Sequence, residues 1–269
     1  PHPPTTSSLE KQSDVACIPE FRRSAKPVRL PPWPPCSESE VTRGRALLTT
    51  MNMDPTTFSR DDLCHLALQV FKDLDLPTQL QIQEDRFQRF ILAVREHMFD
   101  NPYHNWFHVF DVMQTSYALS ISTGIIHSLS AWERFELLTA CLCHDLEHPG
   151  VSTPFLEQAP ALALAFKDTL LEKHHALRAF EVMVDREVGL LEGLSTERYY
   201  SFRGAVSRAI LATDISKHEG YLTLVNAKIG NEGEAATFGA ESQTAAHSPA
   251  SESPAPLDIP SGNSSEREE

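Results

Sequence analysis

Two short histidine-rich segments are the part of this sequence best suited to chemistry. The first reads Tyr-His-Asn-Trp-Phe-His and contains His104 and His108; the second reads His-Asp-Leu-Glu-His-Pro-Gly and contains His144, Asp145 and His148. Each histidine pair is four residues apart, so on a helix both rings would project from one face. Imidazole nitrogens and a neighbouring carboxylate oxygen are ligands that zinc and related divalent ions prefer. The two segments therefore predict a metal centre.

Such a centre has a defined hydrolytic chemistry. A divalent ion held by imidazoles and a carboxylate lowers the pKa of water enough to generate hydroxide near neutral pH. A carboxylate that bridges two ions about 3.5–4 Å apart lets them stabilise the attacking and leaving oxygens of phosphoryl transfer. A histidine that binds no metal can protonate the leaving alkoxide, because the imidazole pKa lies near working pH. The two segments supply one histidine for that task.

The elements that must position these residues are predicted to be helices. Apolar residues recur at helical spacing after Ser59, which can cap the first of them. No segment alternates apolar and polar residues in the manner of a strand, which predicts an all-α fold. The first predicted helix begins after Ser59. The others span residues 80–100, 101–122, 131–148, 155–167, 170–189 and 196–215. Asn101 and Pro102 are predicted to begin the third helix, and Pro149 and Gly150 to end the fourth.

Composition divides the chain into three parts. Residues 1–57 are rich in Pro, Ser and Thr and predict a leader that is disordered or in polyproline II. Residues 58–229 carry the apolar periodicity and are long enough for one hydrophobic core. Residues 230–269 are rich in Gly, Ala, Ser, Pro and Glu and predict a disordered acidic tail. Only the middle part is therefore expected to fold.

The leader also holds a short candidate docking motif. Arg29, Pro32 and Pro35 match the basic-x-x-Pro-x-x-Pro spacing that SH3-type grooves bind in the polyproline II conformation. The pattern is short, and a leader without a partner is the alternative interpretation.

Charge and cysteine usage limit the class of protein. The net charge of −14 and the absence of a basic stripe argue against nucleic acid as a partner. Five cysteines, an odd number, are more easily explained as reduced thiols than as a disulfide framework. No run of 18 apolar residues and no signal-peptide pattern occurs. We therefore expect a soluble protein in the cytoplasm.

Four motifs in order resemble the catalytic domain of the class I 3′,5′-cyclic-nucleotide phosphodiesterases, which are metal-dependent phosphohydrolases of the His-Asp type. Tyr-His-Asn-x-x-His and His-Asp-x-x-His-Pro-Gly are followed by Leu-Glu-Lys-His-His at residues 171–175 and by Ala-Thr-Asp-Ile-Ser-Lys-His at residues 212–218. The resemblance covers about residues 61–225. It implies a multi-helical bundle and hydrolysis of cAMP or cGMP to the 5′-monophosphate in signal transduction.

The resemblance also implies a role for each matching residue. His104 would be the proton donor to the leaving 3′-oxygen. His108 and His144 would bind a zinc-type ion, and Asp145 would bridge it to a second ion, Mg²⁺ or Mn²⁺. Four further residues would orient water and ligands around the two ions without binding them: His148, Glu172, His175 and Asp214.

Departures from the family pattern leave alternatives open. Glu147 replaces a common Asp and Thr153 a common Asn or Gln, and the resemblance ends near residue 225. The family's second metal-binding Asp, its base-reading Gln and its purine-stacking aromatic have no counterpart here, which predicts an incomplete domain. The chain could then be a catalytically inactive binding or regulatory protein, or an incomplete gene model. In the simpler His, His-Asp, Asp pattern of broader His-Asp phosphohydrolases, Asp214 would instead be the last metal ligand.

Overall fold

The computed structural model describes residues 29–152 and 170–238, with side chains to residue 229. These residues form helices and no strand, which confirms the all-α prediction. In chain order the α-helices are α1 (Glu38–Leu47), α2 (Arg60–Asp73), α3 (Leu76–Leu80), α4 (Glu84–His97), α5 (Trp106–Ser122), α6 (Ala131–Cys143), α7 (Leu170–Val184), α8 (Thr196–Leu211) and α9 (His218–Phe238).

Side-chain caps fix where several of these helices begin. The Ser59 hydroxyl accepts a hydrogen bond from the backbone N–H of Asp62, as predicted for the start of α2. Ser130 and Glu133 form a reciprocal capping box at the start of α6. Each cap satisfies backbone N–H groups that have no partner within the helix, which contributes about 1 kcal/mol.

The core is centred on α6, which packs against α3, α5, α7 and α8. A row of fully buried rings crosses it, with centroid distances of 5.1 Å from Phe71 to Phe87, 5.6 Å from Phe87 to Phe135 and 4.9 Å from Phe135 to Phe202. These rings come from α2, α4, α6 and α8, and each contributes about 1.5–3 kcal/mol when buried. The row therefore fixes α6, which leads into the second histidine-rich segment, and α5, which begins within the first, packs directly against α6.

The predicted leader does not extend to residue 57, because residues 38–57 pack on the core. Helix α1 lies against α2, and a Cβ built on Gly44 would come within 2.4 Å of the Leu66 side chain. Only glycine permits this close approach of the α1 backbone. A 3₁₀ turn over Pro55–Thr57 follows, and Leu48 and Phe58 are both buried. Residues 1–28 lie outside the described part.

The proline-rich segment packs on the folded domain, and the SH3-type partner receives no support. The His65 ring donates a hydrogen bond to the carbonyl of Pro34 at 2.8 Å, and the Trp33 ring lies edge-on to His65. Pro34 is buried, so this stretch is docked on α2 through residues that lie between the Arg29, Pro32 and Pro35 positions of the predicted motif.

The carboxyl-terminal helices differ from the prediction in their limits. Helices α7 and α8 end at Val184 and Leu211, earlier than predicted, and the helix predicted over residues 155–167 lies outside the described residues. Helix α9 continues to Phe238, past the predicted tail boundary at residue 229, and is described by itself. In the part of the chain that the structure describes, every helix is too short or too polar to span a bilayer.

Candidate metal centre

The first histidine-rich segment straddles the start of α5. The Asn105 side chain caps this helix by accepting a hydrogen bond from the His108 N–H at 3.2 Å. The predicted start at Asn101 is wrong, because Asn101 Nδ2 instead donates to the carbonyls of His104 (3.1 Å) and His148 (2.7 Å). His104 therefore lies before the helix, and Asn101 ties it to the second segment.

The second segment forms a turn beyond the end of α6. The helix ends at Cys143 and not near His148 as predicted. Glu147 adopts the left-handed conformation with φ of 57°, and its N–H donates to the carbonyl of His97 on α4 at 3.1 Å. This tertiary bond replaces the i−4 helical bond, so the predicted helix breaks. We call residues 144–150 the metal turn.

Asp145 is the centre of the histidine cluster. Its Oδ2 lies 3.2 Å from Nε2 of His108 and 3.2 Å from Nε2 of His144. Burial alone would raise the pKa of Asp145, but hydrogen bonds from His108 and His144 outweigh it and hold the pKa well below its usual range. The candidate ligand atoms of these three residues lie within 4.8 Å of one another. This arrangement could hold a divalent metal ion.

The backbone sets the tautomer of two rings. A carbonyl can only accept a hydrogen bond, so His144 Nδ1 donates to Cys141 O at 2.8 Å and His175 Nδ1 donates to Leu146 O at 2.7 Å. Nε2 of each ring then carries the lone pair when the ring is neutral. For His144 this is the nitrogen that faces Asp145, and a bound ion would take its lone pair. Without an ion, burial lowers the pKa of His144, but the hydrogen bond to Asp145 outweighs it and raises the pKa, so that Nε2 carries a proton.

His175 provides a separate test of whether the site fits a metal ion. Its Nε2 is 3.8 Å from Asp145 Oδ1, fully buried, and without a hydrogen-bond partner. Burial lowers the pKa of His175 to about 3, so the ring is neutral and Nε2 is an acceptor. Buried acceptors are rarely left unpaired. A hydrated cation beside Asp145 would supply the donor, so the residues present fit the ion.

His148 has the opposite tautomer. Its Nδ1 accepts a hydrogen bond from the Gly150 N–H at 3.0 Å, so Nε2 carries the proton of the neutral ring. Burial foremost, and then the charge of His104, lowers the pKa of His148 to about 4. The neutral His148 ring therefore offers Nε2 as a hydrogen-bond donor and has no lone pair there for a metal ion.

A second group of converging atoms, from His104, Asp145 and His148, fits an ion less well. The His104 and His148 rings are stacked, with centroids 3.7 Å apart and planes 11° from parallel. A metal must lie close to the plane of each ring that binds it, and two stacked planes cannot both contain one ion. His104 is thus left available for another task, with 34% of its side chain exposed and Nε2 4.0 Å from Asp145 Oδ2.

Glu172 and Asp214 are outside the converging groups, and their charges influence each other. Burial and then the charge of Asp214 raise the pKa of Glu172, with a smaller effect from Asp145. Asp214 caps a 3₁₀ turn by accepting hydrogen bonds from the N–H (2.9 Å) and hydroxyl (2.7 Å) of Ser216. Among the described residues, Asp214 is not part of a group whose atoms converge as metal ligands.

A buried ion pair lies beside the centre and was not predicted from the sequence. Arg178 donates two hydrogen bonds to the Glu147 carboxylate, each at 2.7 Å. The available signal was an arginine on the apolar face of α7, three residues after His175, because a buried charge needs a partner. Nothing comparable in the sequence indicated that the Asn101 amide would bind the carbonyls of His104 and His148.

Acid is expected to destabilise the folded state of the metal-free chain, because His175 stays neutral there. Its pKa in the folded chain is about 3, below the ordinary 6.5, so its contribution to stability is complete above pH 6.5 and is lost as the pH falls towards 3. Within that window the free energy of unfolding should fall by about 1.4 kcal/mol for each unit by which the pH falls, because the ring is protonated only in the unfolded chain. His175→Gln lacks this titration, so its destabilisation relative to wild type should shrink as the pH falls from 7 to 5.

Urea unfolding in EDTA at pH 7, 6 and 5 measures this difference. His127→Gln, at an exposed position, serves as the control and should remain at a constant offset from wild type. A constant offset for His175→Gln as well would contradict the prediction.

Comparisons with known proteins agree with the motif-based resemblance. The model of the family described as 3′5′-cyclic nucleotide phosphodiesterase matches residues 103–252, past the end of the motifs near residue 225. The 3′,5′-cyclic-nucleotide phosphodiesterase regA of Dictyostelium discoideum is 35% identical over 192 residues, which are 70% of this chain and 24% of that protein. The high affinity cGMP-specific 3′,5′-cyclic phosphodiesterase 9A of Drosophila melanogaster is 32% identical over 190 residues, 70% of this chain and 12% of that protein.

A solved structure has the same fold. The phosphodiesterase domain of the RhoPDE fusion protein from the choanoflagellate Salpingoeca rosetta superposes with a TM-score of 0.64 at 29% identity, covering 71% of this chain and 61% of that domain. The chain thus spans a quarter or less of the two curated relatives and about three fifths of this solved domain.

Proposed function

The chain belongs to the 3′5′-cyclic nucleotide phosphodiesterase family, and on that premise we propose that it hydrolyses cAMP or cGMP to the 5′-monophosphate in signal transduction. The observation that carries the proposal is the convergence of His108, His144 and Asp145, with both Nε2 atoms 3.2 Å from one carboxylate oxygen. Three ligands of these types match a catalytic ion site that keeps a position open.

Two divalent ions are part of this proposal. His108, His144 and Asp145 would hold a zinc-type ion, and Asp145 would be shared with a second ion, Mg²⁺ or Mn²⁺. When bound, the ions would lower the pKa of water and withdraw charge from the phosphoryl oxygens. The partnerless Nε2 of His175, next to the second oxygen of Asp145, supports the second ion.

The chain's own residues would divide the remaining work. The water oxygen would bond to phosphorus and release one proton to solvent as the bond from phosphorus to the 3′-oxygen breaks. Protonated His104 would give its proton to the 3′-oxygen and then regain one from solvent. The one-third exposure of His104 leaves it open to substrate, while Asn101 holds its carbonyl in place. His148, with a proton on Nε2, and His175, with a lone pair there, would orient water from two sides. Glu172 and Asp214 would support the same region from α7 and the 3₁₀ turn.

A cytoplasmic location is also part of the proposal. Cys36, Cys64, Cys141 and Cys143 are all free thiols in the structure, as a reducing compartment favours.

Hydrolysis of cAMP and cGMP by the purified chain tests the proposal directly. The chain should form the 5′-monophosphates in the presence of Zn²⁺ with Mg²⁺ or Mn²⁺. Their formation should stop after EDTA treatment and resume when the ions are added back. His108→Ala, prepared in the same way, should form neither product and so controls for phosphodiesterases of the expression host. A chain that binds metal but turns over neither nucleotide would support the alternative of a binding or regulatory protein.

A further inference from the structure

The buried ion pair between Glu147 and Arg178 joins the metal turn to α7. Both residues are only 9% exposed. Arg178 Nε and Nη2 bind the two carboxylate oxygens of Glu147 in a bidentate pair, each at 2.7 Å. Arg178 also pairs with Glu181, whose side chain is 43% exposed. The guanidinium is thus fixed at one end by the surface of α7 and at the other by the metal turn.

The pair acts at a point where the backbone of the metal turn is constrained. Glu147 lies two residues after Asp145 and directly before His148, with its φ of 57° in the left-handed region. For a residue with a side chain this conformation costs about 1–2 kcal/mol, so surrounding contacts must maintain it. The His97 carbonyl binds the Glu147 N–H, and the Arg178 guanidinium binds its carboxylate.

The same stretch of α7 also holds the neighbouring residue of the turn. His175, three residues before Arg178, donates from Nδ1 to the carbonyl of Leu146 at 2.7 Å. Two side chains of one helix therefore bind consecutive residues of the turn that presents Asp145. Because α7 also supplies the unpaired Nε2 beside Asp145, its distance from the turn fixes the shape of the ion site.

We propose that the Glu147–Arg178 ion pair is a positioning device that holds the metal turn in the shape required for metal binding. The proposal rests on the metal centre of the proposed function, although neither residue belongs to the described groups of converging ligand atoms. Removing Arg178 leaves the buried Glu147 carboxylate facing only the imidazoles of His97 and His174, 3.9 and 3.7 Å away, in place of a bidentate guanidinium. A buried carboxylate that loses its charged partner is strongly destabilised, and the turn relieves this by moving outward. Asp145 would move with it and lose its alignment with His108 and His144.

Arg178→Met tests the proposal, with Arg95→Met as the matched control. Arg95 is also 9% exposed and also pairs with two carboxylates, Asp61 and Glu96, but its partners lie on α2 and α4. Titration of the metal-free chain with Co²⁺, followed by its d–d absorption, reports both affinity and coordination geometry. Arg178→Met should weaken Co²⁺ binding by about 10- to 100-fold, as loss of residues that orient ligands does. Arg95→Met should stay within about threefold of wild type while both variants lose thermal stability.

A second variant covers the case in which Arg178→Met does not fold. Glu147→Gln keeps the shape of the side chain and one acceptor for Arg178, which retains Glu181 as a charged partner; it should weaken Co²⁺ binding about tenfold. Wild-type affinity in the folded variants, or an equal loss in Arg95→Met, would overturn the inference. If wild type binds Co²⁺ but hydrolyses no cyclic nucleotide, only the proposed function fails; if wild type binds no metal, both fail.

Discussion

An Asp145→Asn variant is expected to lose its bound metal and its cyclic-nucleotide hydrolysis together. Asparagine has the same shape, so the packing of the metal turn should survive, but the amide has no charge and only one oxygen with which to bind an ion. That oxygen would have to replace both Oδ2, which faces His108 and His144, and Oδ1, which faces His175. Mutation of residues that only orient metal ligands typically lowers metal affinity by about 10- to 100-fold, and the loss in Asp145→Asn should be larger. The rate should fall on the order of 10⁴-fold, because parts of one catalytic unit fail together.

Metal content after dialysis against buffered Zn²⁺, measured beside circular dichroism, checks this expectation in a folded sample. Asp214→Asn is the informative control, because it separates the two assignments that the sequence left open. As a residue that supports the site without binding the ion, Asp214 should tolerate asparagine with at most about a tenfold loss of affinity. Metal loss in Asp214→Asn equal to that in Asp145→Asn would make Asp214 the last ligand. Full metal content in Asp145→Asn would refute the centre described above.

The residues of the centre could be predicted from the sequence because their chemistry is local. The spacing of His104 from His108 and of His144 from His148, with Asp145 between them, is visible without a structure. The same spacing led to a wrong geometry, since it predicted two helical faces. Only His108 lies within a helix, and the other four residues sit in the turns that flank α5 and α6. Histidines four residues apart can meet at one site from a turn at the end of a helix as well as from one face of a helix. The spacing alone therefore does not distinguish the two arrangements.

The break in the second predicted helix depends on residues distant in sequence. Glu147 favours a helix by intrinsic propensity, yet His97 and Arg178 hold it in the left-handed conformation. These partners lie 50 residues before it and 31 residues after it. Local patterns cannot predict such an override, because the contact exists only once α4 and α7 have packed. Asn101 is a similar case, since its amide joins carbonyls from both histidine-rich segments.

The leader boundary failed for a different reason. A composition rich in proline and serine indicates a segment with little apolar surface to bury, but a few large side chains are enough to dock it. Leu48 and Met53 are buried in the core and Trp33 packs against it from the side. Composition averaged over 57 residues hides these anchors, whereas the helix-capping Ser37 is a local signal that marks the start of α1.

His104→Gln is expected to slow catalysis without removing the metal, because His104 is stacked on His148 and is not aligned as a ligand. Loss of a general acid should reduce kcat for cAMP or cGMP by about 10²- to 10⁴-fold. The alkoxide leaving group of a cyclic nucleotide needs a proton as the ester bond breaks, whereas p-nitrophenolate, a stable anion near neutral pH, does not. With the p-nitrophenyl ester of thymidine 5′-phosphate as substrate, the variant should therefore retain nearly the wild-type rate, while Asp145→Asn should be slow on both substrates. An equal loss on the two substrates, or loss of metal from His104→Gln, would show that His104 supports the ion site and is not the proton donor.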